Sequence, residues 1–264
     1  RTLGLLTRPN SNRERLQLQQ GVPNDAEFKR IDGLPRRVWS ASAIKRAVDS
    51  LTAELRTPDG TRELWPDQAI ALSEIGWYGG TVCGIRVSGG KTTTSFLAGT
   101  RLPDCPRPLL ICPTKSIKTG KVARAYDNER RHWKVRDDYA WISYDHLQHR
   151  RQSEYLFIHK PGVLILDEAH HAGRYNSSRT KRIARYLAAY PEVPVIILTG
   201  SLIASRVVND SLTLLAWARR EHSPLPLPLE KVTQRYWKLA LDVPQRASSG
   251  ALRRWCKAGE PTLV

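Results

Sequence analysis

The sequence predicts an α/β protein, a parallel sheet with helices on both faces preceded by a small accessory module. Three observations predict it. From about Leu64 onward, short β-branched or aliphatic runs alternate with amphipathic helical stretches, as in strands joined by helical crossovers. A glycine turn, Ser88-Gly89-Gly90-Lys91-Thr92, lies between an apolar run ending at Val87 and a helical stretch opening near Thr92. Downstream, the apolar run Val163 to Leu166 stops at a pair of acids, Asp167 and Glu168.

In chain order, residues 1–60 are polar and broken by Gly21-Val22-Pro23, Gly33-Leu34-Pro35 and Pro58-Asp59-Gly60, which separate short elements. The clearest element there is a helix opening near Ser40 or Ser42, with Ile44, Ala47, Val48 and Leu51 along one face. Residues 61–221 form the main domain. Its strands are expected at Thr81 to Val87, Pro108 to Cys112, Ala140 to Ser143, Val163 to Leu166 and Val193 to Leu198. In residues 222–264, Pro224, Pro226 and Pro228 alternate with leucines and favour an extended tail or linker over a helix.

Composition narrows the partners. Lys and Arg number 42 against 25 acidic residues in 264, a net charge of +17, which points to a polyanion. Cys83, Cys105, Cys112 and Cys256 form no C-x-x-C pair and read as free thiols in a reducing compartment. No apolar run approaches the ~20 residues of a membrane span, so no membrane partner is expected. The expected location is intracellular, in the cytoplasm, at a nucleoid or nucleus, or in a viral setting. The chain opens at Arg1 and has no methionine, so its first residue does not read as a translation start.

The glycine turn has the chemistry of a phosphate loop. Ser88, Gly89 and Gly90 let backbone N–H groups turn inward around a β-phosphate, Lys91 reaches β and γ oxygens, and the hydroxyls of Thr92 and Thr93 follow at the helix start, Thr92 as a Mg²⁺ ligand. The register is unusual, because the first glycine of a G-x-x-x-x-G-K-[ST] loop would fall at Ile85, with Gly84 one residue earlier. A strand ending at Asp167-Glu168 projects both acids from the carboxyl edge of the sheet, where open α/β folds bind ligands. Asp167 is the expected Mg²⁺ ligand and Glu168 the group that positions and deprotonates an attacking water. The cofactors implied are ATP and Mg²⁺.

Asp167-Glu168-Ala169-His170 resembles the DEAH box of superfamily-2 helicases and translocases, and further motifs follow in order between Leu64 and Ala218. Leu64-Trp65-Pro66-Asp67-Gln68 is similar to the family's L-x-P-x-Q segment, which implies an adenine contact for Gln68. Ile111-Cys112-Pro113-Thr114-Lys115 resembles motif Ia, implying phosphate contacts from Thr114, Lys115 and Ser116. Ile142-Ser143-Tyr144-Asp145-His146-Leu147 resembles the next segment along the nucleic-acid path, which implies a DNA contact for Tyr144. Ile197-Leu198-Thr199-Gly200-Ser201 resembles motif III of the chromatin-remodeller-like branch. Thr199, Gly200 and Ser201 would then couple nucleotide state to DNA grip, with His170 as the link, although Leu202 stands where that branch has proline. The resemblance implies a RecA-like ATP-binding lobe of a duplex-DNA translocase or helicase. Basic clusters at Arg130-Arg131-His132-Trp133-Lys134, at His149-Arg150-Arg151 and at Arg179, Lys181, Arg182 and Arg185 accord with it.

The family closes ATP between two such lobes, the second supplying arginine fingers, and no Q-x-x-[GR]-R-x-x-R motif is present. A second lobe in cis or in trans is therefore an expected partner, and turnover by this chain alone is expected to be weak. Two other readings stay open at the level of sequence. One is a viral DNA-packaging terminase ATPase, suggested by Arg86 just before the glycines; the other is a catalytically silent DNA-docking subunit of the same fold.

Overall fold

The computed structural model describes residues 25–35, 38–85, 88–173, 177–200, 208–225, 227 and 262–263. Its helices are α1 (Asp25–Asp32), α2 (Ala41–Leu55), α3 (Pro66–Tyr78), α4 (Lys91–Thr100), α5 (Thr114–Lys118), α6 (Lys121–His132), α7 (Tyr144–Gln148), α8 (Tyr155–His159), α9 (Ser178–Ala189) and α10 (Val208–Arg219). The strands are β1 (Thr81–Gly84), β2 (Pro108–Cys112), β3 (Ala140–Ser143), β4 (Val163–Asp167), β5 (Val195–Leu198) and β6 (Thr262–Leu263).

β1 to β5 form one all-parallel sheet in the order β3-β2-β4-β5-β1, with the two-residue β6 antiparallel on the β1 edge. The architecture is α/β with helices on both faces, as the alternation of runs predicted, and is consistent with a RecA-like arrangement. The expected β2 and β3 spans match and β5 begins two residues late at Val195, whereas β1 runs to Gly84, Ile85 lies outside it, and the rest of its expected span, Arg86 and Val87, lies outside the described residues. At β5 the preceding residue is Pro194, which has no N–H to give the ladder; its carbonyl accepts the Leu164 N–H at 3.0 Å.

Alternation along the strands sorts the core into two layers. Leu164, Leu166, Val195, Ile197, Leu109 and Ile111 face one way and pack with Ile183 and Tyr186 of α9 and Leu212 and Leu215 of α10. Val163, Ile165, Ile196, Leu198, Leu110 and Cys112 face the other way, against Leu72 and Ile75 of α3 and Phe96 and Leu97 of α4. All residues of β4 before Asp167 are fully buried, since the strand is covered on both faces and flanked by β2 and β5. Cys83 and Cys112 are small core residues, and burial pushes both thiols up to about 12, so neither is a nucleophile at neutral pH.

Packing crosses the expected boundary at residue 60. α2 starts at Ser40, whose hydroxyl accepts the Ala43 N–H at 3.2 Å, and its Leu51 and Leu55 enter the same apolar layer as Ile75 and Phe96. Thr52 adds a polar tether by accepting the Leu64 N–H at 3.0 Å. α1 docks on the start of the tail, where Arg30 donates to the carbonyls of Ser223 at 2.8 Å and Leu225 at 3.1 Å, and Glu27 accepts the Leu227 N–H at 2.8 Å. Among the described residues, no helix is long and apolar enough to cross a membrane.

A shared core predicts shared unfolding. Leu55→Ala should lower the stability of the whole unit by about 2–5 kcal/mol in one cooperative transition, as followed by urea denaturation with tryptophan fluorescence and circular dichroism together. A separate early transition confined to residues 41–60 would contradict it.

Candidate nucleotide site and adjoining basic groove

Because the sheet is parallel, every strand from β1 to β5 releases its chain at the same edge, and the sequence motifs gather there. After β1 comes the glycine turn. Gly90 has φ +84°, and a Cβ at that position would overlap the Gln68 amide, so both backbone and space require glycine. Gln68, in the first turn of α3, is buried. Its amide oxygen accepts the Trp65 N–H at 2.7 Å and its amide nitrogen donates to the Gly90 carbonyl at 3.1 Å. The Gly90 carbonyl also accepts from the Thr94 N–H at 3.2 Å and the Thr94 hydroxyl at 3.3 Å. Gln68 thus braces the loop directly, and the position expected to meet adenine is also a structural clamp.

Lys91 opens α4. Its ammonium lies 2.9 Å from Oε1 of Glu168, an ion pair whose side chains are only 13 % and 29 % exposed. The contact lacks hydrogen-bond geometry, and the buried Nζ has no hydrogen-bond acceptor among the described residues. Its charge is balanced by Glu168, and the ammonium keeps donors free for a further acceptor. Thr92 is exposed at the helix start, in keeping with a ligand role. Thr93 is directed elsewhere: its hydroxyl donates to Oε2 of Glu129 at 3.0 Å, and Oε1 of the same carboxylate is paired with Arg62 at 2.9 Å. Thr93, expected to join the phosphate loop, therefore has its hydroxyl on a buried acid of α6.

β4 delivers Asp167 and Glu168. Burial pushes the Asp167 carboxyl up to about 6, with the neighbouring Glu168 charge adding to the effect and Lys91 opposing it. A bound cation would favour the ionised form. Glu168 has φ 50°, left-handed for a non-glycine residue, a conformation costing about 1–3 kcal/mol that persists where surroundings impose it and concentrates at functional sites. Ser88 in the glycine turn is left-handed too, with φ 63°. His170 Nδ1 is 3.5 Å from Oε2 of Glu168, so the acid stands between Lys91 and His170. Thr199 follows β5, fully buried, and its N–H donates to the Cys83 carbonyl of β1 at 3.1 Å, tying the third motif to the strand that precedes the glycine turn. Gly200 is exposed beside it, while Ser201 lies outside the described residues, as do Arg86 and Leu202.

No cluster of three or more His, Cys, Asp or Glu capable of holding a metal occurs among the described residues. Asp167 and Thr92 supply too few ligands for a magnesium ion by themselves. They fit the kind of site in which substrate phosphates and water complete the octahedron.

Beside this site the ends of β2 and β3 open an exposed groove of about 480 Å³ lined by Thr114, Lys118, Ser143, Asp145, His146, His149, Arg151 and Gln152. Thr114 lines it, with its hydroxyl on Oδ2 of Asp145 at 2.5 Å. Lys115 is exposed and Ser116 half-buried on the same short helix. Tyr144 does not face the groove surface. It is 1 % exposed, its hydroxyl donates to the Asp167 carbonyl at 3.0 Å, and its expected DNA contact is corrected to a core role under the acidic pair.

Several cations of the basic clusters are engaged within the protein. Arg182 donates to the carbonyls of Leu147 and His149, Arg185 to the Ser153 carbonyl and the Glu154 carboxylate, and Lys134 to the Glu54 carbonyl. Trp133 is buried, and Arg130 pairs with Asp137. Arg179 lies over the Tyr144 ring and 3.7 Å from Asp145, and His171 packs between His170 and Tyr144. Burial, then the charges of His170 and Arg179, hold the His171 pKa below its ordinary value. Glu129 and His171 were not singled out by motif reading, and Asp145, although inside the Ile142 to Leu147 segment, was given no role of its own. The signal for His171 was adjacency to a motif, and for Glu129 there was none, since its partners Arg62 and Thr93 are far away in sequence.

No protein-family model matches the chain, and comparison with curated proteins finds no significant match.

Removing the Tyr144 hydroxyl tests its buried role. Tyr144→Phe should cost about 1–3 kcal/mol through the unsatisfied Asp167 carbonyl, measured by denaturant unfolding. Unchanged stability would contradict that role.

Proposed function

We propose that the chain is the ATP-binding lobe of a superfamily-2 motor of the chromatin-remodeller-like branch, an ATPase that grips the backbone of duplex DNA. The observation that carries this is the Lys91–Glu168 ion pair at the carboxyl edge of the sheet, beside Asp167 and the left-handed glycine turn. An ammonium with no hydrogen-bond acceptor, between backbone donors and two carboxylates, suits the phosphates of a nucleotide better than it suits a structural role.

In this reading the turn from Ser88 to Gly90 surrounds the β-phosphate with N–H groups, and Lys91 exchanges Glu168 for β and γ oxygens. That exchange releases the Glu168 carboxylate to orient a water and accept its proton during attack on the γ-phosphorus. Mg²⁺, held by Thr92 and Asp167 together with substrate oxygens, would neutralise charge on the phosphates. His170 lies close enough to Glu168 to respond to its change of partner.

The groove offers the second half of the function. Lys118 and Arg151, with the exposed Lys115 nearby, suit a phosphate backbone. Contacts through His171, Tyr144, Arg179 and Asp145 join the acidic pair to Thr114 at the groove wall. This provides a physical connection between phosphate chemistry and DNA grip, whose coupling is testable by mutation. A second RecA-like lobe, in cis or in trans, remains part of the proposal as the source of an arginine finger, worth about a thousandfold or more in rate.

Two measurements test the reading. MgATP binding should be lost in Lys91→Ala, whereas Glu168→Gln should bind MgATP while turnover, slow in the wild type, falls to background in a DNA-stimulated phosphate-release assay. Absence of MgATP binding by the wild type would favour a silent DNA-docking module. Duplex binding should weaken with salt, and Lys118→Glu with Arg151→Glu should flatten the dependence of log affinity on log salt by about 2. An unchanged slope would place the DNA elsewhere.

A further inference from the structure

Glu129 is a buried acid that no sequence motif marks, and it lies against the helix that opens with Lys91. It is 5 % exposed on α6, one helical turn after Tyr126, whose ring meets Phe96 of α4 edge to face with centroids 5.5 Å apart. Its carboxylate is divided between two partners: Oε1 pairs with Arg62 at 2.9 Å, and Oε2 accepts the Thr93 hydroxyl at 3.0 Å. Arg62 balances the negative charge. Thr93 ties the first turn of α4 to α6.

α6 is itself fixed. The His132 carbonyl accepts the Thr57 N–H at 3.0 Å, the Tyr126 hydroxyl donates to the Arg136 carbonyl at 2.8 Å, and Trp133 at the end of the helix is buried. In the first turn of α4, Thr92 is exposed, the Thr94 hydroxyl bonds back to Gly90, and Lys91 holds Glu168, a partner it must release to bind phosphate oxygens. Beyond the Gln68 brace at Gly90, the Thr93–Glu129 bond is then, among the described residues, the side-chain tie from this turn to a neighbouring helix that stays in place. A buried ion pair adds little stability over well-packed apolar side chains. Folding stability therefore does not account for an acid at this place, whereas its hold on the turn does.

We propose that Glu129 is a positioning residue of the nucleotide site: acting through Thr93, it sets the first turn of α4 so that the Lys91 ammonium and the Thr92 hydroxyl meet the phosphates and Mg²⁺. The inference rests on the nucleotide reading of the Lys91 site. Glu129 touches no phosphate itself. It fixes the angle at which the turn presents its groups, and small displacements of such groups are costly.

The test uses the full chain and isothermal titration calorimetry with Mg²⁺-ATP and with Mg²⁺-tripolyphosphate, alongside urea unfolding. Glu129→Met, which keeps the bulk without a carboxylate, should weaken both ligands by about three- to tenfold. Glu129→Gln should recover wild-type affinity, because its amide oxygen can accept from Arg62 while its amide nitrogen donates to the Thr93 hydroxyl. Thr93→Val should weaken both ligands to the same extent, and Thr93→Ser should not. Glu129→Met combined with Thr93→Val should be no weaker than either alone, since the two residues act as one unit. Glu129→Ala serves where Glu129→Met does not fold. Additive losses would show Thr93 meeting the ligand by itself, and a lowered unfolding midpoint with unaltered affinity would reduce Glu129 to a structural role; either result overturns the proposal. Failure of the underlying reading looks different: wild type and Lys91→Ala would then be alike for both ligands. Binding lost in Lys91→Ala and unaffected in Glu129→Met would keep the nucleotide site and reject the positioning residue.

Discussion

Burial of a parallel sheet on both faces is the constraint from which the rest of this molecule follows. Strands covered by helices on each side must satisfy their backbone groups within the sheet, and parallel connections return every chain to the same starting edge. The opposite edge therefore collects the turns after β1, β2, β3, β4 and β5. Gly90 and Lys91, Thr114, Tyr144, Asp167 and Glu168, and Thr199 come together there although they are spread over more than half of the main domain. β4 matters most, because its buried aliphatic run carries two carboxylates to the point where the apolar core ends.

Local strain at that edge is compensated by packing. Ser88, Gly90 and Glu168 all take left-handed backbone conformations, which cost little at glycine and are strained at the other two. Gly90 is braced by Gln68 and Thr94, and Glu168 is held between Lys91 and His170. The ion pair gives two half-buried charges a mutual partner while leaving ammonium donors unused. Such an arrangement is poised for exchange, because an incoming anion can replace the carboxylate without first creating an isolated buried charge.

The strongly basic composition divides into two populations. One works inside the protein, as Arg182, Arg185, Arg30 and Lys134 do by capping carbonyls of neighbouring loops and helix ends. The other, including Lys115, Lys118 and Arg151, stands at the groove where the strand ends open. Net charge counts both alike. Hydrogen bonding separates them, since a guanidinium tied to carbonyls of neighbouring loops is held in place by those bonds and has fewer of its five donors free.

The sequence by itself determined the fold class, four of the five parallel strands to within a residue or two, and the Lys91, Asp167 and Glu168 pattern, because period-two burial, glycine turns and acids at a strand end are local signals. It also singled out Gln68, which braces the glycine turn, and Thr114, which lines the groove. Only the tertiary structure decided that Tyr144 is buried beneath Asp167, that Thr93 bonds to Glu129, that α2 shares the main core, and which arginines are already engaged. The physical reason is range. Strand and turn chemistry is written within a few neighbouring residues, whereas Arg62 to Glu129, Arg182 to Leu147 and Trp65 to the phosphate loop depend on how helices dock on a finished sheet. A residue's side of that sheet, and whether its polar atoms are already occupied, are properties of the packed chain and of no shorter piece of it.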